Sequence, residues 1–526
     1  MKRIGWSGFS LMPAALLCVA LLCSCSRPQQ GNNGPAQENN NGPARGNGTA
    51  GGFDLSHIRR VVVIYQENWS FDGLYSHFRD VKGEHANGFE FGARVRQLDG
   101  AGNAIDSMDL PVNSRGQPFR NAAWKGHMPV MFYNMHDFDA GDSMNVDTVT
   151  TADVTHRFYH TQKQINRNAG GEGTNDQFLY WSDLDAGRPF GRDNMNALVL
   201  SGFRADTLPL GRLAAQYAMC DNCFQSAFGG SFLNHQWLIA ARTPVYRNAT
   251  KDSNAMKHRS DSTSTAPNHW DDALTRTAVP GDPGSYYAIN TVQPAFAPHR
   301  AKGVRLPAQE HATIGTRLDA ANISWKWYAQ GWKDALADTT KDPDDDFATH
   351  HQPFNYFKEF DPATESGRRN RETHLADERD FHADLHSGRL PAVSFVKLNS
   401  LYDEHPLDAN LRAGDSAAAG LVQEIMDSAE VWKDCAIIIT FDEFGGRWDH
   451  VPPPPPAPDG FGPGPRIPMM IISPFTKGRG IDHTQYETVS ILAFIEKIWG
   501  LQPLSDRDAH ANNLLDAFTG GAGVAH

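Results

Sequence analysis

The chain has 526 residues, about three times an average domain of ~150 residues, and is 40% hydrophobic and 21% charged, which excludes a highly charged disordered chain. Its 48 basic residues stand against 61 acidic ones, a net charge of −13, which argues against nucleic acid as a partner because phosphate neutralisation needs a basic surface. Six cysteines exclude a disulfide-built scaffold, and 47 Gly with 32 Pro are too few for a fibrous or low-complexity chain.

Lys2 and Arg3 precede an apolar stretch from about Leu11 to Leu22, too short to span a membrane comfortably and placed where a signal peptide sits. Leu22-Cys23-Ser24-Cys25-Ser26 resembles a bacterial lipobox, with Cys25 as the residue that receives lipid. Residues 27–52 contain no Leu, Ile, Val or aromatic residue and read as a flexible tether. The expected division is a lipoprotein-type signal peptide over 1–25, a disordered tether over 26–52 and a folded domain over 53–526. The expected location is the bacterial cell envelope, periplasmic or outer-membrane, with membrane attachment through the lipid. Plain secretion is the alternative.

In the folded part, the apolar run from Val61 ends at Glu67-Asn68, and the run Cys435–Phe441 ends at Asp442-Glu443. Neither run alternates, so both faces of each strand should be buried, as in a parallel sheet covered by helices. Further predicted strands are Leu198–Leu200, Ile323–Tyr328, Val393–Val396 and Met469–Ile472. A helix is predicted from about Leu421 to Trp432. Another opens with a capping box at Thr484–Glu487, carries Val489, Leu492, Ile495 and Trp499 inward, and stops at Gly500. The expected fold is a doubly wound α/β sheet, mainly parallel, with helices on both faces. Residues 245–320, weakly periodic and rich in Pro, Ser and Asp, read as an insertion covering the active-site edge. Ligands gather at the carboxyl ends of strands in such sheets, where both acidic pairs fall.

Four clusters carry polar, metal-capable residues: Gln66–Asp72, Gly229–His235, Asp403–Pro406 and Phe441–Pro453. His156 and the pair His350-His351 add imidazoles. An adjacent pair cannot point both rings the same way in a regular strand, so a turn is implied at His350-His351. Asp342–Asp346 lacks the Gly and distal Glu of a calcium loop and reads as a solvated turn. Cys220 and Cys223 form a C-x-x-C, read as a structural disulfide or two packed thiols rather than a redox pair.

Glu67-Asn68-Trp69-Ser70-Phe71-Asp72 and Asp442-Glu443-Phe444-Gly445-Gly446-Arg447-Trp448-Asp449-His450-Val451-Pro452-Pro453 together resemble a bacterial phosphoesterase family. That family holds acid phosphatases and non-haemolytic phospholipases C, within the alkaline-phosphatase-like superfamily. Trp69 stands where the family usually has Arg. The resemblance spans about residues 58–500. It implies one divalent metal ion held by Glu67, Asn68, Ser231, Asp442 and Glu443, with Ser231 the nucleophile that forms a phospho-enzyme. Hard oxygen ligands suit such an ion, which would neutralise phosphate charge and lower the pKa of the nucleophile. His156, His350, His351 and His405 are then expected around the same pocket, clamping phosphoryl oxygens or protonating the leaving alcohol. Asn234 and His450 are expected at the substrate, or else as a structural hydrogen-bonder and a prop for the proline loop. Ser231, in place of the Thr of phospholipase members, points to the acid phosphatase branch and phosphate monoesters. A phospholipase C acting on phospholipid head groups is the alternative, and a non-catalytic surface lipoprotein a remote one.

Overall fold

The computed structural model describes residues 49–50, 53–141, 145–182, 197–249, 273–298, 304–337 and 347–519. The signal peptide, Cys25, the Asp342–Asp346 turn and all of the tether before Thr49 lie outside the described residues. Thr49–Ala50, expected within the tether, instead pair antiparallel with Phe53–Asp54.

A nine-stranded sheet forms the centre of the fold. From one edge its strands run Leu375–Ala376, Trp325–Ala329, Val393–Lys397, Arg60–Gln66, Cys435–Phe441, Arg466–Ile472 and Ala218–Phe224. Gly480–Asp482 and Tyr486–Glu487 both pair with Ala218–Phe224 at the far edge. Arg466–Ile472 alone is antiparallel to its neighbours, so the sheet is mainly parallel, as expected. The Val61–Tyr65 and Cys435–Phe441 runs are buried on both faces, which is why neither alternates. Helix Leu411–Asp427 begins ten residues before its predicted start because the Asn410 side chain caps it, accepting from the Ala413 N–H at 2.9 Å. Gly500, at φ +65°, ends helix Ser490–Trp499 as predicted.

Two expectations are corrected, and one that was left open is decided. Leu198–Leu200 lies in a 3₁₀ turn, in which the Leu198 carbonyl accepts from the Arg447 guanidinium at 3.0 Å and the Ser201 hydroxyl at 2.8 Å. The Thr484–Glu487 segment does not cap a helix. Tyr486–Glu487 pair with Cys223–Phe224, and the helix starts only at Ser490. Cys220 and Cys223, expected as a disulfide or as two packed thiols, are free buried thiols on one strand.

In the 245–320 region, Val245–Tyr246, Leu274–Val279 and Asp282–Ala288 form a separate antiparallel sheet. The chain leaving it supplies Ile289, Asn290 and Thr291 to the wall of the cleft described below. No helix among the described residues is long and apolar enough to cross a membrane.

Candidate active site

Parallel register sets the site. Gln66 lies opposite Phe441 on neighbouring strands, so Glu67-Asn68 and Asp442-Glu443 leave the sheet side by side. The Asn68 N–H donates to Asp442 Oδ1 at 3.1 Å. Asn68 takes φ +65°, a conformation that Asn tolerates better than most residues. Gly445 makes room for this turn: a Cβ there would sit 2.2 Å from the Asn68 carbonyl oxygen.

Ser231 is the first residue of helix Ser231–Ala240. Gly229 is sterically required, since at φ +88° a Cβ would approach the Phe158 nitrogen to 2.7 Å, and a Cβ on Gly230 would press on the His156 ring at 3.1 Å. The Ser231 hydroxyl donates to Glu67 Oε2 at 2.8 Å and lies 3.3 Å from Asn68 Oδ1. The helix N-terminus behind it favours negative charge. A cleft of about 220 Å³ opens at Ser231, lined among others by Asp153, His156, Arg157, His350 and His405. A larger hollow of about 1330 Å³, around Trp237, Tyr287 and Phe461, lies toward the other end of the same helix and carries none of the expected site residues.

Of the predicted ligands, Glu67 and Asn68 meet the Ser231 hydroxyl, and Asp442 joins them through the Asn68 N–H. Glu443 is anchored by the Gly445 N–H to one oxygen at 2.7 Å, and its other oxygen lies 3.6 Å from His156 Nε2. Asp442 Oδ2 and Glu443 Oε1 are buried without a hydrogen-bond partner among the described residues. Unpaired buried carboxylate oxygens are costly. Burial, then repulsion by Asp442, pushes the Glu67 and Glu443 carboxyls well above the usual carboxylate range, and burial raises Asp442 to about 6. Clustered oxygen donors whose negative charge is under-compensated fit a divalent cation. Glu67, Asn68, Asp442 and Glu443 would hold it beside Ser231.

The histidines divide differently from expectation. His156, His350 and His405 line the cleft with Ser231. His351 does not: its ring stacks on His235 at 4.9 Å and faces Glu67 Oε1 at 3.4 Å. Burial, then Lys397, holds His351 and His235 well below the ordinary imidazole value. Burial, then His405, lowers His350 to about 3. These three rings are neutral near pH 7. His405 is raised: burial opposes its charge, but Asp153, Asp403, Glu67 and Asp408 outweigh it. Backbone carbonyls of Val154 and Pro406 engage Nδ1 of His156 and His405, respectively.

Asn234 and His450 are corrected. The Asn234 amide turns back to the Gly229 and Gly230 carbonyls at 3.1 and 3.3 Å and accepts from the Ala227 N–H, so it braces the nucleophile turn instead of facing substrate. Gly445 and Gly446, both at positive φ, turn the chain away after Glu443. His450 therefore pairs with Asp72 at 2.7 Å, in a buried network with Arg466 and Asp449.

Sequence reasoning missed three residues. Lys397, fully buried, lies 3.2 Å from Glu67 and 3.0 Å from Asp403; its signal was a lysine closing an apolar strand. His235 lies one helical turn after Ser231, so its ring falls on the same helix face. Asp153 lies 3.6 Å from His156 Nδ1 and had no sequence signal beyond lying three residues before it.

The phosphoesterase family model matches residues 58–502. Phospholipase C B of Mycobacterium tuberculosis (strain ATCC 25618 / H37Rv) is 25% identical over 496 residues, covering 88% of this chain and 78% of that protein. Non-specific phospholipase C1 of Arabidopsis thaliana is 36% identical over 169 residues, covering 26% of this chain and 31% of that one. A crystal structure of an alkaline phosphatase superfamily protein from Vibrio parahaemolyticus matches at TM-score 0.27 and 11% identity, over 57% of this chain and 65% of that one. With the family model matching from the first sheet strand to the last long helix, the chain belongs to the phosphoesterase family.

Proposed function

We propose that the protein hydrolyses phosphate monoesters through a phospho-serine at Ser231. The observation that carries this reading is the Ser231 hydroxyl, held by Glu67 at 2.8 Å at the floor of a small cleft lined by imidazoles and Arg157. A cleft of about 220 Å³ holds a phosphoryl group and little of its leaving group, which suits a broad range of monoesters. Glu67 Oε2 accepts the Ser231 hydrogen bond, aims Oγ at phosphorus and receives the hydroxyl proton as the O–P bond forms. Arg157 and His156 bind phosphoryl oxygens. His405, cationic by its acidic surroundings, delivers the proton to the leaving alcohol. Water then attacks the phospho-serine, giving a proton to the now neutral His405, while the proton on Glu67 returns to Ser231 Oγ as inorganic phosphate forms. A divalent cation at Glu67, Asn68, Asp442 and Glu443 would supply neutralisation of phosphate charge.

Phospholipase C activity is the second reading, favoured by the names of the relatives above. Release of inorganic phosphate from p-nitrophenyl phosphate, against release of phosphocholine from phosphatidylcholine, separates the two. Ser231→Ala should lower kcat by orders of magnitude with an unchanged fold, and near-wild-type turnover would end the assignment. We further propose export with lipid attachment at Cys25, tested by mass spectrometry of the mature N-terminus: a first residue other than Cys25 refutes it.

A further inference from the structure

Large apolar side chains are scarce on this surface. Four stand clearly exposed among the described residues, and three of them, Leu401 at 46%, Tyr402 at 41% and Leu407 at 45%, share one loop. That loop leaves the carboxyl end of strand Val393–Lys397, supplies His405 to the cleft, and ends at helix Leu411–Asp427. The apolar side chains therefore flank a residue of the catalytic rim on both sides in sequence.

The loop is fixed from beneath. Asp403 and Glu404 are buried, and Gln66 Nε2 donates to Glu404 Oε1 at 3.1 Å. The Trp69 indole donates to the Glu404 carbonyl at 3.0 Å, and the Leu407 N–H donates to the Thr151 carbonyl at 2.8 Å. Glu404 and Leu407 take φ +72° and +83°, conformations unfavourable for both residue types. Strain of this kind persists where the surroundings over-determine it, and it clusters at functional sites. Here the polar residues point inward while the leucines and tyrosine stay outside, the reverse of an ordinary solvated loop.

Charge selects the occupant. Between Leu398 and Leu411 there is no Lys or Arg, Asp408 is exposed, Arg412 just beyond is paired with Asp147, and the whole chain carries −13. An anionic membrane would be repelled, while a zwitterionic interface accepts apolar side chains and a tyrosine, whose amphipathic ring suits the head-group level. We propose that Leu401, Tyr402 and Leu407 seat the protein on a zwitterionic lipid surface, so that the cleft meets phosphorylated head groups at that interface. What is cleaved there rests on the phosphoesterase reading above; the docking does not.

The test uses the full chain, its triple variant Leu401→Asn, Tyr402→Asn, Leu407→Asn, and sedimentation with phosphatidylcholine vesicles. Asn tolerates the positive φ at position 407, so the loop keeps its shape. Both proteins carry Cys25→Ala, so that a lipid at the N-terminus does not mask the contribution of the loop. Wild type should bind the vesicles, and the triple variant should bind roughly tenfold or more weakly, as expected for loss of three inserted apolar side chains. Turnover of soluble p-nitrophenyl phosphate should be unchanged in the variant. If the triple variant loses that turnover too, the single Leu401→Asn decides: a several-fold loss of vesicle binding with full turnover supports the proposal, and none overturns it. Equal binding by wild type and triple variant, absent wild-type binding, or tighter binding to vesicles of anionic lipid overturns it. Failure of the wild type to hydrolyse p-nitrophenyl phosphate would instead count against the functional reading, leaving the vesicle result to stand by itself.

Discussion

Removing divalent cations should make the protein's stability depend on pH in a way that restoring them abolishes. Burial raises the Asp442 carboxyl from 3.8 to about 6. That difference of about two pK units is worth on the order of 3 kcal/mol for this one group, at ~1.4 kcal/mol each. A carboxyl raised by folding leaves stability intact below its unfolded value and withdraws it as pH climbs through the folded one. The loss should thus set in above about pH 4 and be largely complete beyond about pH 6, with Glu67 and Glu443, raised still further, extending it upward. A bound cation offsets the same charges, and at a thousandfold excess over its Kd contributes about 4 kcal/mol. Urea unfolding followed by tryptophan fluorescence, at about pH 5 and about pH 7.5, with EDTA or with excess Mg²⁺ or Ca²⁺, measures both effects. The gain from the cation should be small at the lower pH, where protons compete, and several kcal/mol at the higher. Asp415 and Asp449 are also raised by burial, to about 7 and about 6, and Asp449 with Asp72 and His450 is itself close-set enough to hold a metal ion, so Asp442→Asn, which should abolish the cation's effect, assigns it to the Ser231 site. Identical curves with and without cation at both pH values would refute the convergence of these carboxylates on a metal.

Gly445→Ala should lower kcat/KM at least ~tenfold and cost about 1–3 kcal/mol of stability, because its Cβ would meet the Asn68 carbonyl at 2.2 Å and φ there is +64°; steady-state kinetics and urea unfolding check it. His450→Ala should leave kcat within about twofold while costing ~1–2 kcal/mol, since it removes the ring's bonds to Asp72 at 2.7 Å and Asn87 at 3.1 Å, while Asp72 keeps Arg466 at 3.1 Å. A large loss of kcat would return His450 to the active site. The alkaline limb of kcat/KM should have its midpoint above the ordinary imidazole value of ~6.5, because His405 is raised and donates as the cation until pH passes its own pKa. His405→Gln should remove that limb, and an unchanged limb would take His405 out of proton delivery.

The acidic pairs were legible because each closes an apolar run that does not alternate, and burial on both faces is the only way to hide Val61–Tyr65 and Cys435–Phe441. The same burial hid strand direction: Arg466–Ile472 runs antiparallel, yet its side chains meet the same two covered faces as its parallel neighbours. The His450 expectation failed because motif adjacency is not spatial adjacency. Two glycines at positive φ separate Glu443, which faces the cleft wall, from His450, which faces Asp72. The Thr484–Glu487 box failed because edge pairing with Cys223–Phe224 satisfies that backbone before the helix begins.

Charge balance explains why Lys397 matters and why its role was not legible. Glu67, Asp403, Asp442 and Glu443 are all fully buried around Ser231, and Lys397 is the cation in direct contact with two of them. One ammonium cannot balance four carboxylates in a low-dielectric interior, which is why burial and mutual repulsion raise Glu67 and Glu443 so far. The lysine also keeps His235 and His351 neutral, so the rings nearest Glu67 add no compensating charge. His405, held cationic among the same acids, adds a second positive charge, and the four carboxylates still outnumber the two cations, a balance that fits a divalent cation, protons on the carboxyls, or both in competition. A sequence motif names the carboxylates; only their common burial reveals how much charge they leave unmatched.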